Sequence, residues 1–333
     1  MKRLVDFLGT TAENHILSYG LGDHMEPQAD GTSSSSPNHT PEALTSTAYY
    51  YFDTWILAQA AEILGKTADA KRYSDLAEKI KAVFNRKFLD ETTNQYATGS
   101  QTSNAMALYL GLVPEAREQA VLNNLVDDVM INHKGHLSTG IIGTNALGQV
   151  LAEHGRADVM YTIATQTTFP SWGYQVSRGA TTIWETWEGD PQRQLSYNMK
   201  MFGSTEKFFY KDLAGIGLAS PGFKQITIKP CPVGDLTYVR ASLKTVRGLV
   251  AVDWKKGPKS FGMKVTIPAN TTAQVSVPKL GLKEIAVTES QKPIWKAAEF
   301  VTGVPGIRAG SETDDYVTFD VGSGHYGFQI TGQ

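Results

Sequence analysis

Several large classes of protein are excluded by what this sequence lacks. It has a single cysteine, Cys231, so no disulfide can form within the chain and no site built from several thiolates is available. No apolar run approaches the roughly 18 residues that span a bilayer. The N-terminal segment has basic residues but no continuous apolar core, so it predicts an amphipathic helix and not a signal peptide. We therefore expect a cytoplasmic protein.

The sequence also lacks an excess of either positive or negative charge. The 31 basic and 33 acidic residues give a net charge of -2, and no block of like charge stands out. This balance argues against nucleic acid and anionic membrane as partners. Hydrophobic residues make up 41% of the chain, which is typical of globular proteins, and 333 residues are enough for two domains.

Residues 1–215 have the periodicity of helices. Thr40-Pro41-Glu42 predicts a helix start with Thr40 as the capping residue, and Thr67 predicts a second. Further pairs are predicted at 103–111 with 115–131 and at 145–154 with 157–166, followed by a last helix at 204–214. Successive helical hairpins are typical of an α/α toroid or a solenoid, and the absence of a fixed-length repeat favours the toroid.

Residues 222–333 change to alternating apolar and polar positions. Short strands are predicted at Phe223–Lys229, Thr237–Leu243 and Gly248–Trp254, and the pattern continues to the end of the chain. Gly and Pro residues in the segment 214–222 end the last helix. The fold class is therefore α+β and multidomain, with helical hairpins at 1–215 followed by an antiparallel β-sandwich at 222–333.

The segment Thr168–Gly189 is the richest in functional side chains. Flat aromatic faces suit the C–H surfaces of sugar rings, and a carboxylate among large aromatics is partly desolvated, which favours proton transfer. Glycoside hydrolysis commonly uses two carboxylates. The candidates are Trp172, Tyr174, Trp184, Glu185, Trp187 and Glu188. A tryptophan-rich core explains the same pattern about equally well.

Two further segments offer polar side chains. The stretch Tyr19–Pro27 predicts a loop that exposes Asp23, His24 and Glu26, and the serine run at 33–36 that follows predicts a flexible loop tip. His136, beside a Ser-Thr-Gly turn, is a candidate for a pocket wall. A plain solvated loop, and a histidine bonded locally to backbone, are the alternatives for these segments.

Taken in order, these segments resemble glycoside hydrolase family 78, the bacterial α-L-rhamnosidases. The matching stretches are MKRLVDFL, GLGDHMEP, HTPEALTSTAYYYFDTWILAQAAEILGK, GSQTSNAMALYLGLVP, GHLSTGIIGT, FPSWGYQVSRGATTIWETWEG, NMKMFGSTEKFFYKDLAGI and RASLKTVRGLVAVDW. The resemblance implies an (α/α)6 barrel, a C-terminal β-sandwich, no cofactor, and hydrolysis with inversion at the anomeric carbon. It also implies that Glu185 is the general base, with Glu188 in a supporting position. From the chemistry of their side chains, we expect Trp172, Trp184 and Trp187 to stack on the sugar and Asp23 and His136 to bind its hydroxyls.

Three departures from the family pattern qualify the resemblance. The family's Gly-Asp-Trp reads Gly22-Asp23-His24, and Asn198 is followed by Met199 where many members have His. The Asp-Cys-Pro motif that contains the family's general acid does not occur in these 333 residues. The helices number about seven or eight, where six hairpins need twelve, so we expect an open barrel and association into a homo-oligomer.

Three functions remain open on the sequence. The first is an α-L-rhamnosidase-like glycosidase acting on a carbohydrate substrate. The second is a carbohydrate-binding fragment that has lost its acid. The third is another glycosidase or a lyase on the same scaffold, with Asp23 or Glu26 as a recruited acid.

Overall fold

Two compact units, Met1–Thr205 and Glu206–Gln333, make up the computed structural model of the chain. The structure describes residues 1–190, 192 and 195–333. No helix in these described ranges is long and apolar enough to cross a membrane.

The first unit is built from helices with two small hairpins between them. The α-helices are α1 Lys2–Thr11, α2 Glu42–Ile63, α3 Thr67–Phe88, α4 Gln101–Tyr109, α5 Glu118–Asp127, α6 Ile141–Glu153, α7 Ala157–Ala164, α8 Trp172–Ser177 and α9 Thr205–Lys207, the last of which crosses into the second unit. Single helical turns of other types occupy Glu115–Arg117, Asp128–Asn132 and Lys200–Ser204. The two-stranded hairpins are β1 Glu26–Pro27 with β2 Ser33–Ser34, and β3 Leu89–Asp90 with β4 Gln95–Tyr96.

Helices α2 and α3 form the longest hairpin. Gly65 supplies the positive φ of 67° that the tight connection needs. Helix α3 buries one stripe, which includes Tyr73, Ile80 and Phe84. The prediction that Thr40 caps α2 is wrong: the cap position is Pro41, and the Thr40 hydroxyl lies 2.8 Å from the Ser100 hydroxyl instead.

The second unit is a sandwich of two sheets. Its strands are β5 Ile216–Leu218, β6 Gln225–Ile228, β7 Tyr238–Thr245, β8 Gly248–Gly257, β9 Ser260–Ile267, β10 Thr272–Pro278, β11 Ala286–Glu289, β12 Lys292–Lys296, β13 Glu299–Phe300, β14 Ile307–Glu312, β15 Tyr316–Val321 and β16 Gly324–Thr331. One sheet has the order β14-β15-β10-β6-β5 and the other β13-β12-β11-β16-β9-β8-β7. Inward-facing side chains of both sheets, such as Trp254, Phe261 and Phe319, form one core.

The predicted fold class is confirmed, since helices precede a sandwich whose strands pair antiparallel with one exception. That exception is the parallel pair of β6 and β10. The predicted helical region, 1–215, extends past the division between the compact units. The turns at Phe208–Leu213 belong to the second unit, because the indole Nε1 of Trp254 donates to the Leu213 carbonyl at 2.8 Å.

Candidate functional site

Asp23 lies fully buried and binds the N-terminus of helix α6. Its Oδ1 accepts from the backbone N–H groups of Ile142 and Gly143, each at 2.8 Å, while its Oδ2 accepts from Gly140 N–H at 2.9 Å and from the Thr102 hydroxyl. Burial raises the pKa of Asp23, and these four hydrogen bonds oppose that rise. The expected contact between Asp23 and a sugar hydroxyl does not fit this placement, because the carboxylate has no accessible surface.

Gly140 and Gly143 make this close approach possible. A Cβ atom on Gly140 would collide with the His24 carbonyl oxygen, and one on Gly143 would collide with the Thr102 hydroxyl. The GIIG spacing therefore lets the loop around Asp23 lie directly on the first turn of α6, where the partial positive charge of the helix favours a carboxylate. His24 is half-buried beside it, and its carbonyl accepts from Ile141 N–H at 2.9 Å.

Glu26 likewise binds backbone N–H groups, in its case those of the segment that precedes α2. Its Oε2 accepts from the backbone N–H groups of Asn38 and His39, each at 2.7 Å, and its Oε1 accepts from Thr40 N–H at 3.1 Å. Burial, together with the neighbouring charge of Asp23, raises the pKa of Glu26 against the pull of these N–H groups. The part of the predicted loop that carries the two acids is therefore buried, and neither acid is presented to a substrate, whereas Tyr19 and Leu21 at the start of the loop are exposed.

Ser33 joins this region to the aromatic segment. Its hydroxyl donates to Oε2 of Glu188 at 2.5 Å and accepts from the Trp187 backbone N–H at 3.0 Å. The side chain is buried in strand β2, so the prediction of a flexible tip is wrong at Ser33. A run of four serines carries no signal that would distinguish this one from its exposed neighbours.

The tryptophans divide into core and partly exposed residues. Trp187 is fully buried, with its Nε1 donating to the Thr139 carbonyl at 3.2 Å and its ring 5.6 Å from Trp172 and 4.4 Å from Phe202. The expectation that Trp187 stacks on sugar is therefore corrected: its ring is core. Trp172 is only half-buried, whereas Trp184 is buried and packs edge-on against Tyr197 at 5.3 Å.

Glu185 differs from Asp23 and Glu26 in being half-buried where they are fully buried. The side chain is half-buried, its Oε2 accepts from Ser196 N–H at 2.6 Å, and its own N–H donates to the Ser196 carbonyl at 2.9 Å. Within the described ranges, no hydrogen bond engages its Oε1. Asn198 lies exposed two residues beyond Ser196, and its N–H donates to the Ser196 hydroxyl at 3.0 Å.

Gln175 is a supporting residue that the sequence did not single out. It is buried on α8, and its amide Nε2 donates to the carbonyl of Thr186 at 2.9 Å, between the two candidate carboxylates. Only its place between Trp172 and the tryptophan-glutamate stretch could have drawn attention to it.

His136 lies in the wall of a cavity of about 380 Å³. Its Nε2 is 2.8 Å from the Thr168 hydroxyl and its Nδ1 is 3.1 Å from the His133 carbonyl. Phe169 also lines the cavity, and Tyr174 packs against Phe169 with ring centroids 5.6 Å apart. His136 is thus bonded both to nearby backbone and to Thr168, and it also lines this cavity.

The predicted residues divide into two groups by their contacts and exposure. The first group is bonded to or packed among neighbouring loop segments and consists of Asp23, Glu26, Trp187 and Glu188. The second group is at least partly exposed and consists of Glu185, Trp172, Tyr174, His136 and Asn198. Among the residues that the structure describes, no group of three His, Cys, Asp or Glu side chains is arranged to hold a metal ion. The accessible group suits proton transfer and sugar contact.

Comparisons with known proteins agree along the chain. Residues 1–213 match the bacterial α-L-rhamnosidase 6 hairpin glycosidase domain, and residues 215–292 match the bacterial α-L-rhamnosidase C-terminal domain. An α-L-rhamnosidase of Streptomyces avermitilis is 34% identical over 72% of this chain and 24% of its own length. One from an Alteromonas species is 32% identical over 89% of this chain and 33% of its own length.

Solved structures give the same result. An α-L-rhamnosidase from Dictyoglumus thermophilum is 39% identical with a TM-score of 0.88, covering 99% of this chain and 36% of that one. The Streptomyces avermitilis enzyme complexed with L-rhamnose is 29% identical with a TM-score of 0.81, covering 98% and 29%. The chain thus spans from about a quarter to a little over a third of the length of these relatives.

Proposed function

Because this chain belongs to the bacterial α-L-rhamnosidase family, we propose that it acts in the hydrolysis of α-L-rhamnosides, with Glu185 as the general base. The observation that carries this assignment is the state of the Glu185 carboxylate. One oxygen is fixed by Ser196 N–H at 2.6 Å, and the side chain remains partly exposed. A carboxylate held in this way is oriented and can still accept a proton from water.

Glu188 is less suited to the same role. Its Oε2 accepts the Ser33 hydroxyl at 2.5 Å, which ties it to strand β2. In the proposed reaction, Glu185 removes a proton from a water whose oxygen bonds to the anomeric carbon from the face opposite the leaving group, as the glycosidic C–O bond breaks and the aglycone oxygen leaves with the bonding electron pair. The configuration at that carbon is then inverted.

Sugar contacts are assigned to the partly exposed side chains. Trp172 and Tyr174 offer ring faces, while His136 and Asn198 offer hydrogen-bonding groups. His24 is half-buried at the position where the family has Trp and is included with them. The buried residues Asp23, Glu26 and Trp187 stabilise the site and do not contact the sugar.

The test is hydrolysis of a panel of p-nitrophenyl glycosides by the purified chain, with the released sugar followed by NMR. The proposal expects the α-L-rhamnoside to be cleaved in preference to other members of the panel, giving the β-anomer first. No cleavage of any glycoside, or retention of configuration, would contradict it.

A carbohydrate-binding role without turnover is the second candidate. It is favoured by one observation: the Asp-Cys-Pro motif is absent from the 333 residues, and both Asp23 and Glu26 are buried against backbone N–H groups. Calorimetric binding of L-rhamnose by a chain that cleaves nothing would support this second role.

A second copy of the chain is proposed to cover one face of helix α2. Tyr49, Phe52 and Trp55 recur at a spacing of three on this helix, so they share a face. Trp55 is 44% exposed and its ring stacks on Phe52 at 6.0 Å. An exposed aromatic stripe of this kind is typical of an interaction surface. We also propose that the protein acts in the cytoplasm.

A further inference from the structure

The outward face of the seven-stranded sheet carries two adjoining cavities of about 430 and 450 Å³. They share Arg240 on β7, Asp253 on β8 and Lys264 on β9. Because successive side chains of a strand point to opposite faces, these residues lie on the side of the sheet away from buried Trp254 and Val265. We refer to this surface, from β7 to β11, as the sheet trough.

Positive charge predominates in the sheet trough. Its charged lining residues are three cations, Arg240, Lys255 and Lys264, and one carboxylate, Asp253. Arg240 Nε donates to Asp253 Oδ2 at 3.0 Å, which neutralises one cation. Neither lysine forms an ion pair with any residue that the structure describes. A locally basic surface on a chain of net charge -2 indicates complementarity to an anionic ligand.

Two glycines leave the floor of the trough, which is the sheet surface between its lining side chains, without side chains. Gly262 and Gly327 lie inside β9 and β16, where the ladder runs without a register shift. A Cβ atom at either position would meet nothing closer than 3.9 Å. Glycine inside a strand weakens it, and without a bulge it often marks a place where a ligand approaches the backbone. The basic side chains therefore surround a floor on which a bulky ligand can lie.

Neutral groups extend along the trough. Ser290, Gln291 and Gln329 line it, and Tyr238 is 65% exposed on the row that continues through Lys255 and Gly262. From β7 to β11 there are four strand spacings, or roughly 19 Å at about 4.8 Å each. The trough is thus long, with an aromatic ring at one end and amides at the other.

We propose that the sheet trough binds an acidic polysaccharide, with the two lysines contacting its carboxylate or sulfate groups and Tyr238 and the amides contacting its rings and hydroxyls. An added peptide strand would need a sheet edge, whereas the trough crosses central strands. A nucleic-acid surface would be expected to carry a larger excess of cations than three against one. This binding goes beyond rhamnoside hydrolysis, because it belongs to the second unit and is measured without turnover.

Affinity electrophoresis of the full 333-residue chain tests the proposal, with polygalacturonate, dextran sulfate and neutral dextran in the gel. We expect retardation by at least one acidic polymer, weakening with added salt, and none by dextran. Lys255→Gln with Lys264→Gln should weaken binding at least tenfold. The matched variant Lys66→Gln with Lys79→Gln removes the same charge from exposed positions in the first unit and should bind normally.

Gly262→Gln separates shape from charge, because it fills the floor without changing the net charge. It should also lose binding at least tenfold while its thermal midpoint stays at or above that of the unaltered chain. Equal losses in the trough and matched lysine variants, or retention by neutral dextran, would overturn the proposal. Tighter binding to duplex DNA than to either acidic polysaccharide would overturn it as well.

Discussion

At the scale of single residues, Glu185 and Glu188 show how two nearby carboxylates come to differ. Ser196 N–H fixes Glu185 and leaves its side chain partly exposed, whereas Ser33 binds Glu188. Glu185→Gln keeps the shape but removes the proton acceptor, so turnover of p-nitrophenyl α-L-rhamnoside should fall at least about a hundredfold. Substrate binding should be largely kept. Glu188→Gln should lose much less, and the opposite ranking would transfer the base to Glu188.

His133 makes the stability of the folded chain depend on pH, which gives a testable prediction. The Asp128 carboxylate, whose Oδ2 lies 3.0 Å from His133 Nδ1, raises the pKa of His133 above the ordinary 6.5. The folded chain therefore binds this proton more tightly than the unfolded chain. The resulting stability is fully present below pH 6.5 and is lost as pH rises through the raised pKa.

His133→Gln removes that contribution. It should lower the thermal midpoint at about pH 5.5 and lower it less, or not at all, at about pH 9. Because the imidazole is partly exposed, solvent limits the size of the effect. A difference between variant and unaltered chain that is the same at both pH values would show that protonation is not involved.

At the scale of elements, periodicity in the sequence is enough to predict the longer helices and most strands, because many of them bury one face along their own length. It does not predict α8, and the single helix expected at 204–214 is a succession of short turns. The α3 stripe and the alternation in β8 are local patterns of this kind. The roles of Asp23 and Ser33 could not be predicted in this way. Their partners, the start of α6 and the Trp187-Glu188 pair, lie more than a hundred residues away in the chain. A polar residue in a glycine- or serine-rich stretch looks exposed until its distant partner is known.

The β1–β2 hairpin is the element that depends on Ser33. Ser33→Ala removes one hydrogen bond to Glu188 and the hydroxyl that accepts from the buried Trp187 N–H, which should lower the free energy of unfolding by about 1–3 kcal/mol because the buried N–H loses this acceptor. Rhamnoside hydrolysis should fall as well, since the neighbouring stretch carries Glu185. Ser36→Ala, in the exposed part of the same run, is the matched control and should change neither quantity. Equal effects of the two variants in chemical denaturation would show that the contacts of Ser33 do not stabilise the hairpin.

At the scale of the whole molecule, the aromatic stripe of α2 bears on assembly. Burial of apolar surface contributes roughly 25 cal/mol per Å², so covering Tyr49, Phe52 and Trp55 favours association. We expect light scattering at micromolar concentration to give a dimer or larger species. Trp55→Glu, which places a charge in the stripe, should shift it to monomer. Gln59→Glu adds the same charge at an exposed position one turn on and should have a smaller effect. A monodisperse monomer for the unaltered chain would count against the self-association.

In the chain as a whole, the proposed base has no equally accessible acid among the candidates. Glu185 is available, but the two other acids that the sequence offered, Asp23 and Glu26, are buried and bonded to backbone N–H groups. Protonation of the departing oxygen matters most for poor leaving groups and least for p-nitrophenolate. The purified 333-residue chain should therefore cleave p-nitrophenyl α-L-rhamnoside far faster than alkyl rhamnosides or rhamnose-containing disaccharides. Comparable values of kcat/KM for the aryl and disaccharide substrates would require an acid within these residues.

The pH profiles of the Asp23→Asn and Glu26→Gln variants would then identify this acid. Loss of the true acid removes the high-pH limb of the profile for disaccharides while sparing the aryl substrate.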